Sequence, residues 1–164
     1  MSHAESIALF RQLGVQMVPE LKQPVVIMPY DGMSQQQFAQ RLIDDYRTAG
    51  VPPGAVWPQS FNLADILYWI EREPEFGRQA VYLEDAESAA ELPVAAEFER
   101  LHAQGVRVWA PPLFALLALD DSGAFERVRT IREEAFGRRV RERILPSPEV
   151  LAQRTVEDVR VLRA

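Results

Sequence analysis

Gly14-Val15-Gln16-Met17-Val18-Pro19-Glu20-Leu21-Lys22 reads as a helix terminator followed by a short apolar strand that ends in an acid and a base two residues apart. Successive strand side chains point to opposite faces, so Glu20 and Lys22 are expected on one face, side by side. A carboxylate offers hard oxygen to Mg²⁺ or Ca²⁺, and an ammonium neutralises a phosphate oxygen. The pair therefore suits a site that holds a metal and a phosphoryl group in one small volume. The same residues also fit a plain surface ion pair at a strand end.

Working outward, the N-terminal side is helical. Ser2 and Glu5 form a capping-box pattern, and Ile7, Phe10 and Leu13 recur at helical spacing before Gly14. On the other side lies a loop through Pro24, Pro29, Asp31 and Gly32, in which Val25 to Met28 could add a short extended piece. Ser34 then caps a helix whose stripe is Phe38, Leu42, Ile43 and Tyr46, ending at Gly50. Val56 to Phe61 reads as a second strand, and Asn62 caps a helix through Ile66, Leu67 and Ile70 that stops before Pro74. Gln79 to Leu83 fits a third strand, Pro93 to Gln104 a helix, and Val106 to Ala110 a fourth strand closed by Pro111-Pro112. Four strands, each approached by a helix, imply an α/β fold with parallel pairing and right-handed crossovers.

With 164 residues and 48% hydrophobic content, the chain can bury a core and form one soluble domain. A net charge of -6 argues against a nucleic-acid partner, which would need clustered cations to neutralise phosphates. There is no cysteine, so disulfides, thiolate chemistry and cysteine-based zinc sites are excluded. Met1-Ser2-His3-Ala4-Glu5 lacks the basic start and apolar run of a signal peptide, and no membrane span is visible, so the chain as written is expected to be cytoplasmic. After Gly123 the composition shifts to arginine, while Lys22 is the one lysine of the chain. The tail, residues 124–164, reads as a long helix from Ala124 to about Leu145 and a second short helix after Pro146-Ser147-Pro148. Its glutamates alternate with arginines, the pattern of an ion-paired, solvated helix face.

Ala4-Glu5-Ser6-Ile7, Leu13-Gly14-Val15, Pro19-Glu20-Leu21-Lys22, Trp57-Pro58-Gln59-Ser60-Phe61-Asn62, Tyr68-Trp69-Ile70, Phe76-Gly77, Ala80-Val81-Tyr82-Leu83 and Trp109-Ala110-Pro111-Pro112 occur in an order and spacing that resembles the glycerophosphodiester phosphodiesterase family. The resemblance runs from Ser2 to about Gly123. It implies a TIM-barrel domain over residues 1–123 that hydrolyses glycerophosphodiesters to an alcohol and glycerol 3-phosphate with a divalent cation, Ca²⁺ or Mg²⁺. By the same resemblance Glu20 is a metal ligand, Lys22 contacts the substrate phosphate, and Gln59, Ser60 and Trp109 belong to a possible pocket.

The family's opening His-Arg strand, its Glu-x-Asp metal pair and its second histidine have no counterpart here, so no catalytic residue is assigned. The two histidines present, His3 in the first helical turn and His102 before Gly105, fit surface or helix-face positions. Four parallel strands make only part of a barrel of about eight, so a partial barrel with two open edges is expected, and with it self-association through those edges. The missing motifs and the arginine-rich tail suggest an interrupted or frame-shifted reading of a longer gene. Two functions follow: a phosphoric diester hydrolase present in incomplete form, or a non-catalytic phosphate-binding or interaction module derived from that fold.

Overall fold

The computed structural model describes residues 1–119 and 125–127. They divide into two units: Met1–Leu92 with Glu99–Pro112, and Pro93–Phe98 with the residues from Leu113 onward.

In the first unit the helices begin where their caps predict. Helix α1 (His3–Leu13) is opened by Ser2, whose hydroxyl accepts the Glu5 amide while the Glu5 carboxylate accepts the Ser2 amide at 2.6 Å. Hydrogen bonding to the carboxylate, first from the Ser2 amide and then from the Ser2 hydroxyl, holds the Glu5 carboxyl below its usual range. Gly14, at φ 67°, closes the helix in the left-handed conformation. Helix α2 (Gln35–Thr48) carries the same reciprocal box, made by Ser34 and Gln37. Asn62 caps α3 (Leu63–Arg72), and Pro74 opens the single turn α4 (Pro74–Gly77). A longer helix, α5 (Ala95–Ala103), follows; its residues from Glu99 belong to this unit and those up to Phe98 to the second. The core is built on the inner stripes of α2 and α3: Ala39, Ile43, Ile66 and Trp69 are fully buried, together with Val56 from the segment before the sheet. The Trp69 indole N–H donates to the Ala39 carbonyl at 3.0 Å and ties the two helices together.

The sheet of this unit has three parallel strands in the order β1 (Gln59–Ser60), β2 (Val81–Leu83), β3 (Val108–Ala110). Gln59 pairs with Val81 and Val81 with Val108. The partial TIM barrel with four strands is therefore not what forms. The stretch expected as the first strand, residues 15–22, touches the next segment through two isolated parallel bridges, Met17 to Val56 and Glu20 to Gln59. The cause lies in the prolines. Met17 and Leu21 donate to the carbonyls of Ala55 and Gln59, and Trp57 and Gln59 donate back to Met17 and Pro19. In this alternating ladder Pro19 occupies the donor position between Met17 and Leu21, and having no N–H it leaves a rung out. Pro58 removes a donor on the opposite side, where its carbonyl accepts the Val81 amide, and β1 is cut to two residues. Val25 to Met28 forms no strand; the loop instead turns at Tyr30–Met33, whose backbones exchange two hydrogen bonds.

In the second unit β4 (Leu117–Leu119) and β5 (Phe125–Arg127) pair antiparallel, with Ala118 opposite Glu126. The long helix expected from Ala124 is corrected at its start, since Phe125–Arg127 is extended. The rest of that expected helix, and the second one after Pro148, lie outside the described residues.

Candidate functional site

Glu20 and Lys22 do lie together. The Lys22 ammonium donates to Glu20 Oε1 at 2.8 Å, with the lysine side chain 80% exposed and the glutamate 22% exposed. Both line a cavity of about 460 Å³ whose walls are the segment Met17 to Lys22 and faces of α1 and α2. That size lies within the usual range for small-molecule sites.

The opposite wall holds a group of side chains that the sequence did not single out. His3, at the start of α1, reaches Asp45 Oδ2 on α2 at 2.9 Å through Nδ1 and the Tyr46 hydroxyl at 3.2 Å through Nε2. The two rings meet edge to face, 5.3 Å apart. Arg41 Nε approaches Asp45 Oδ1 at 3.5 Å, one turn earlier on α2. Tyr46 is 3% exposed, and burial, with the Asp45 charge behind it, pushes its pKa up to about 12. The Tyr46 phenol therefore keeps its proton at neutral pH. His3, set aside as a helix-surface residue, thus lies on the cavity; His102 does not line it. Its partnership with Asp45 spans 42 residues of sequence, beyond the reach of any local pattern. The local trace was the Arg41–Asp45 spacing of one helical turn.

The other expected pocket residues lie elsewhere. Ser60, 1% exposed, donates to Asp65 Oδ2 at 3.0 Å and accepts the Asn62 amide at 3.0 Å, so it fastens the start of α3. Gln59 exchanges backbone bonds with Pro19 and Leu21. The Trp109 indole N–H faces Glu84 Oε2 at 3.4 Å. None of the three lines the cavity that holds Glu20 and Lys22.

The donor set does not fit a Ca²⁺ or Mg²⁺ shell. Such ions take about six oxygens, whereas the Glu20 carboxylate is already paired with Lys22 and Asp45 with His3 and Arg41. Among the described residues no group of three or more histidines, aspartates or glutamates converges on one point.

Asp65 is the buried carboxylate of this unit, 2% exposed and accepting from Gln35 Nε2 at 2.8 Å and from Ser60. Burial raises its pKa, and the two hydrogen bonds oppose the rise without cancelling it. Between the ordinary aspartate range and this raised value, the folded protein keeps a proton that the unfolded chain has released. The residue's contribution to stability is then greatest at low pH and falls as pH rises through that window. Asp65→Asn removes the titration. In urea unfolding from about pH 4 to 7, the variant should gain stability relative to the wild type as pH rises; a constant difference would refute the assignment.

Among the described residues no helix is long and apolar enough to cross a membrane. No protein-family model matches the chain, and no solved structure matches it. A curated protein named "Extracellular protein" from Arthroderma benhamiae is 38% identical over 123 residues, which cover 73% of this chain and 50% of that protein. The chain spans about half the length of this relative.

Proposed function

We propose that the chain carries the phosphate-recognising part of a glycerophosphodiester phosphodiesterase-like phosphoric diester hydrolase, and that Lys22 contacts the phosphate of a glycerophosphodiester or of glycerol 3-phosphate. The observation that carries this reading is the Glu20–Lys22 pair on the wall of a cavity large enough for such a ligand. An ammonium has three N–H donors; with one on Glu20, two remain for phosphate oxygens. Glu20 keeps the lysine head at the wall, and a bound phosphate shares the ammonium with that carboxylate. The ordered motifs between Ser2 and Gly123 supply the substrate class.

A second reading has its own support: binding without turnover. Protonation of a leaving oxygen and presentation of a nucleophile need groups beyond one carboxylate and one lysine. In this cavity His3 has both ring nitrogens engaged, Nδ1 with Asp45 and Nε2 with the Tyr46 hydroxyl. The name of the Arthroderma benhamiae relative gives an extracellular setting to that longer protein.

Calorimetric titration of the whole chain with glycerol 3-phosphate, paired with ³¹P NMR of glycerophosphocholine incubated with and without Ca²⁺, tests both. Release of glycerol 3-phosphate supports the hydrolase, and saturable binding with no release supports the module. No binding and no release overturns both.

A further inference from the structure

The segment Met17 to Leu21 spends one side of its backbone on the sheet. Residues 17, 19 and 21 face the neighbouring segment and make its hydrogen bonds, apart from the rung that Pro19 omits. The alternate residues, Gln16, Val18 and Glu20, aim their N–H and C=O groups the other way, and no partner for those groups occurs among the described residues. Pro19 stands on the inner, bonded side, where it weakens the ladder, and leaves the outer donors intact. Proteins usually blunt such an edge with a proline or a bulge; among the described residues nothing pairs with this one, and its central residue, Val18, is 58% exposed.

We propose that this edge is an interface between two copies of the chain, which pair antiparallel about a two-fold axis at Val18. The edge is complementary to itself in that register. Val18 faces the partner's Val18, an apolar β-branched pair at the centre, and Gln16 faces the partner's Glu20 on each side of it. The Gln16 Oε1 atom accepts the Trp57 indole N–H at 2.9 Å, which fixes the amide and leaves its NH₂ group to donate to the partner's carboxylate. No like charges meet. Lys22 falls opposite the partner's Gly14, beyond the central pairs. A two-fold arrangement closes after two copies, so the edge is consumed without propagation into a fibre. The interface shares Val18 and Glu20 with the wall of the cavity described above, but it is argued without any ligand and is tested by mass, so a failed ligand titration does not decide it.

The test is the mass of the whole chain in solution, measured by size-exclusion chromatography with light scattering at tens of micromolar. A value about twice 18.6 kDa is expected. Val18→Pro removes the central outward N–H without touching the inner ladder, and should return the mass to that of one chain with an unchanged far-ultraviolet circular dichroism spectrum. A monomeric wild type, or a Val18→Pro variant that folds and remains dimeric, would overturn the interface. Amide hydrogen exchange on the wild type covers the case in which the variant does not fold. Protection at Gln16, Val18 and Glu20 should rise with protein concentration while Met17 and Leu21 stay constant, and protection independent of concentration would equally refute the proposal.

Discussion

Gly77→Ala is expected to cost about 3 kcal/mol or more, a large part of the roughly 5–15 kcal/mol that holds a domain of this kind together. At Gly77 the turn α4 folds back on α3 so closely that a Cβ would lie 2.6 Å from Ile70 Cα and nearer still to the Trp69 carbonyl. Those are backbone atoms, which cannot rotate aside as a side-chain tip can. Relief requires α4 to move off α3, which would carry Phe76, 2% exposed, out of the core and disturb Trp69 beside it. Gly54 makes the natural comparison, because a Cβ there meets nothing within 4 Å and its backbone is not left-handed. Gly54→Ala should shift stability by no more than about 0.5 kcal/mol. Urea unfolding of the two variants gives the answer: equal midpoints would mean that α4 does not pack on α3 as described.

How legible each part of this protein is depends on the sequence distance over which its cause acts. The caps of α1, α2 and α3 are read from Ser2, Ser34 and Asn62 because a cap is a contact within three residues. The parallel pairing of β1, β2 and β3 follows from strands separated by helices. Residues 15–22 fall short of a strand because apolar character does not supply hydrogen bonds: which side of the segment needs the N–H that Pro19 lacks depends on the partner. The hairpin of β4 and β5 was hidden for a related reason, since Phe125-Glu126-Arg127 continues into a sequence with helical periodicity and only pairing with Leu117–Leu119 makes it extended.

The same division runs through the site. Glu20 and Lys22 are two residues apart, so strand periodicity alone places them together, and the ion pair at 2.8 Å bears out that placement. His3 and Asp45 meet only because α1 and α2 pack, and nothing near either residue announces it. Ser60 illustrates the opposite error: a polar residue in a motif suggested a ligand, whereas its hydroxyl is spent on Asp65 and on the first turn of α3. A buried hydroxyl with two internal partners has little left to offer a substrate.

Lys22→Ala should weaken glycerol 3-phosphate binding by about 10- to 100-fold, the range for loss of a charge-assisted hydrogen bond. The same change should barely affect folding, because an ion pair whose lysine is 80% exposed contributes about 0–1 kcal/mol. Binding and stability are therefore expected to separate at this residue, as they would not for a lysine whose part is structural. Glu20→Gln sharpens the distinction. It removes the carboxylate that competes with the ligand for the ammonium, so anion binding should tighten if Lys22 is the phosphate contact and weaken if Glu20 itself holds the ligand through a cation. Both effects should shrink as salt rises, since the lysine head is open to solvent and screened over about 10 Å at 0.1 M. Titrations of the three proteins at low and high ionic strength decide the matter. Unaltered affinity in Lys22→Ala would remove the phosphate from this cavity.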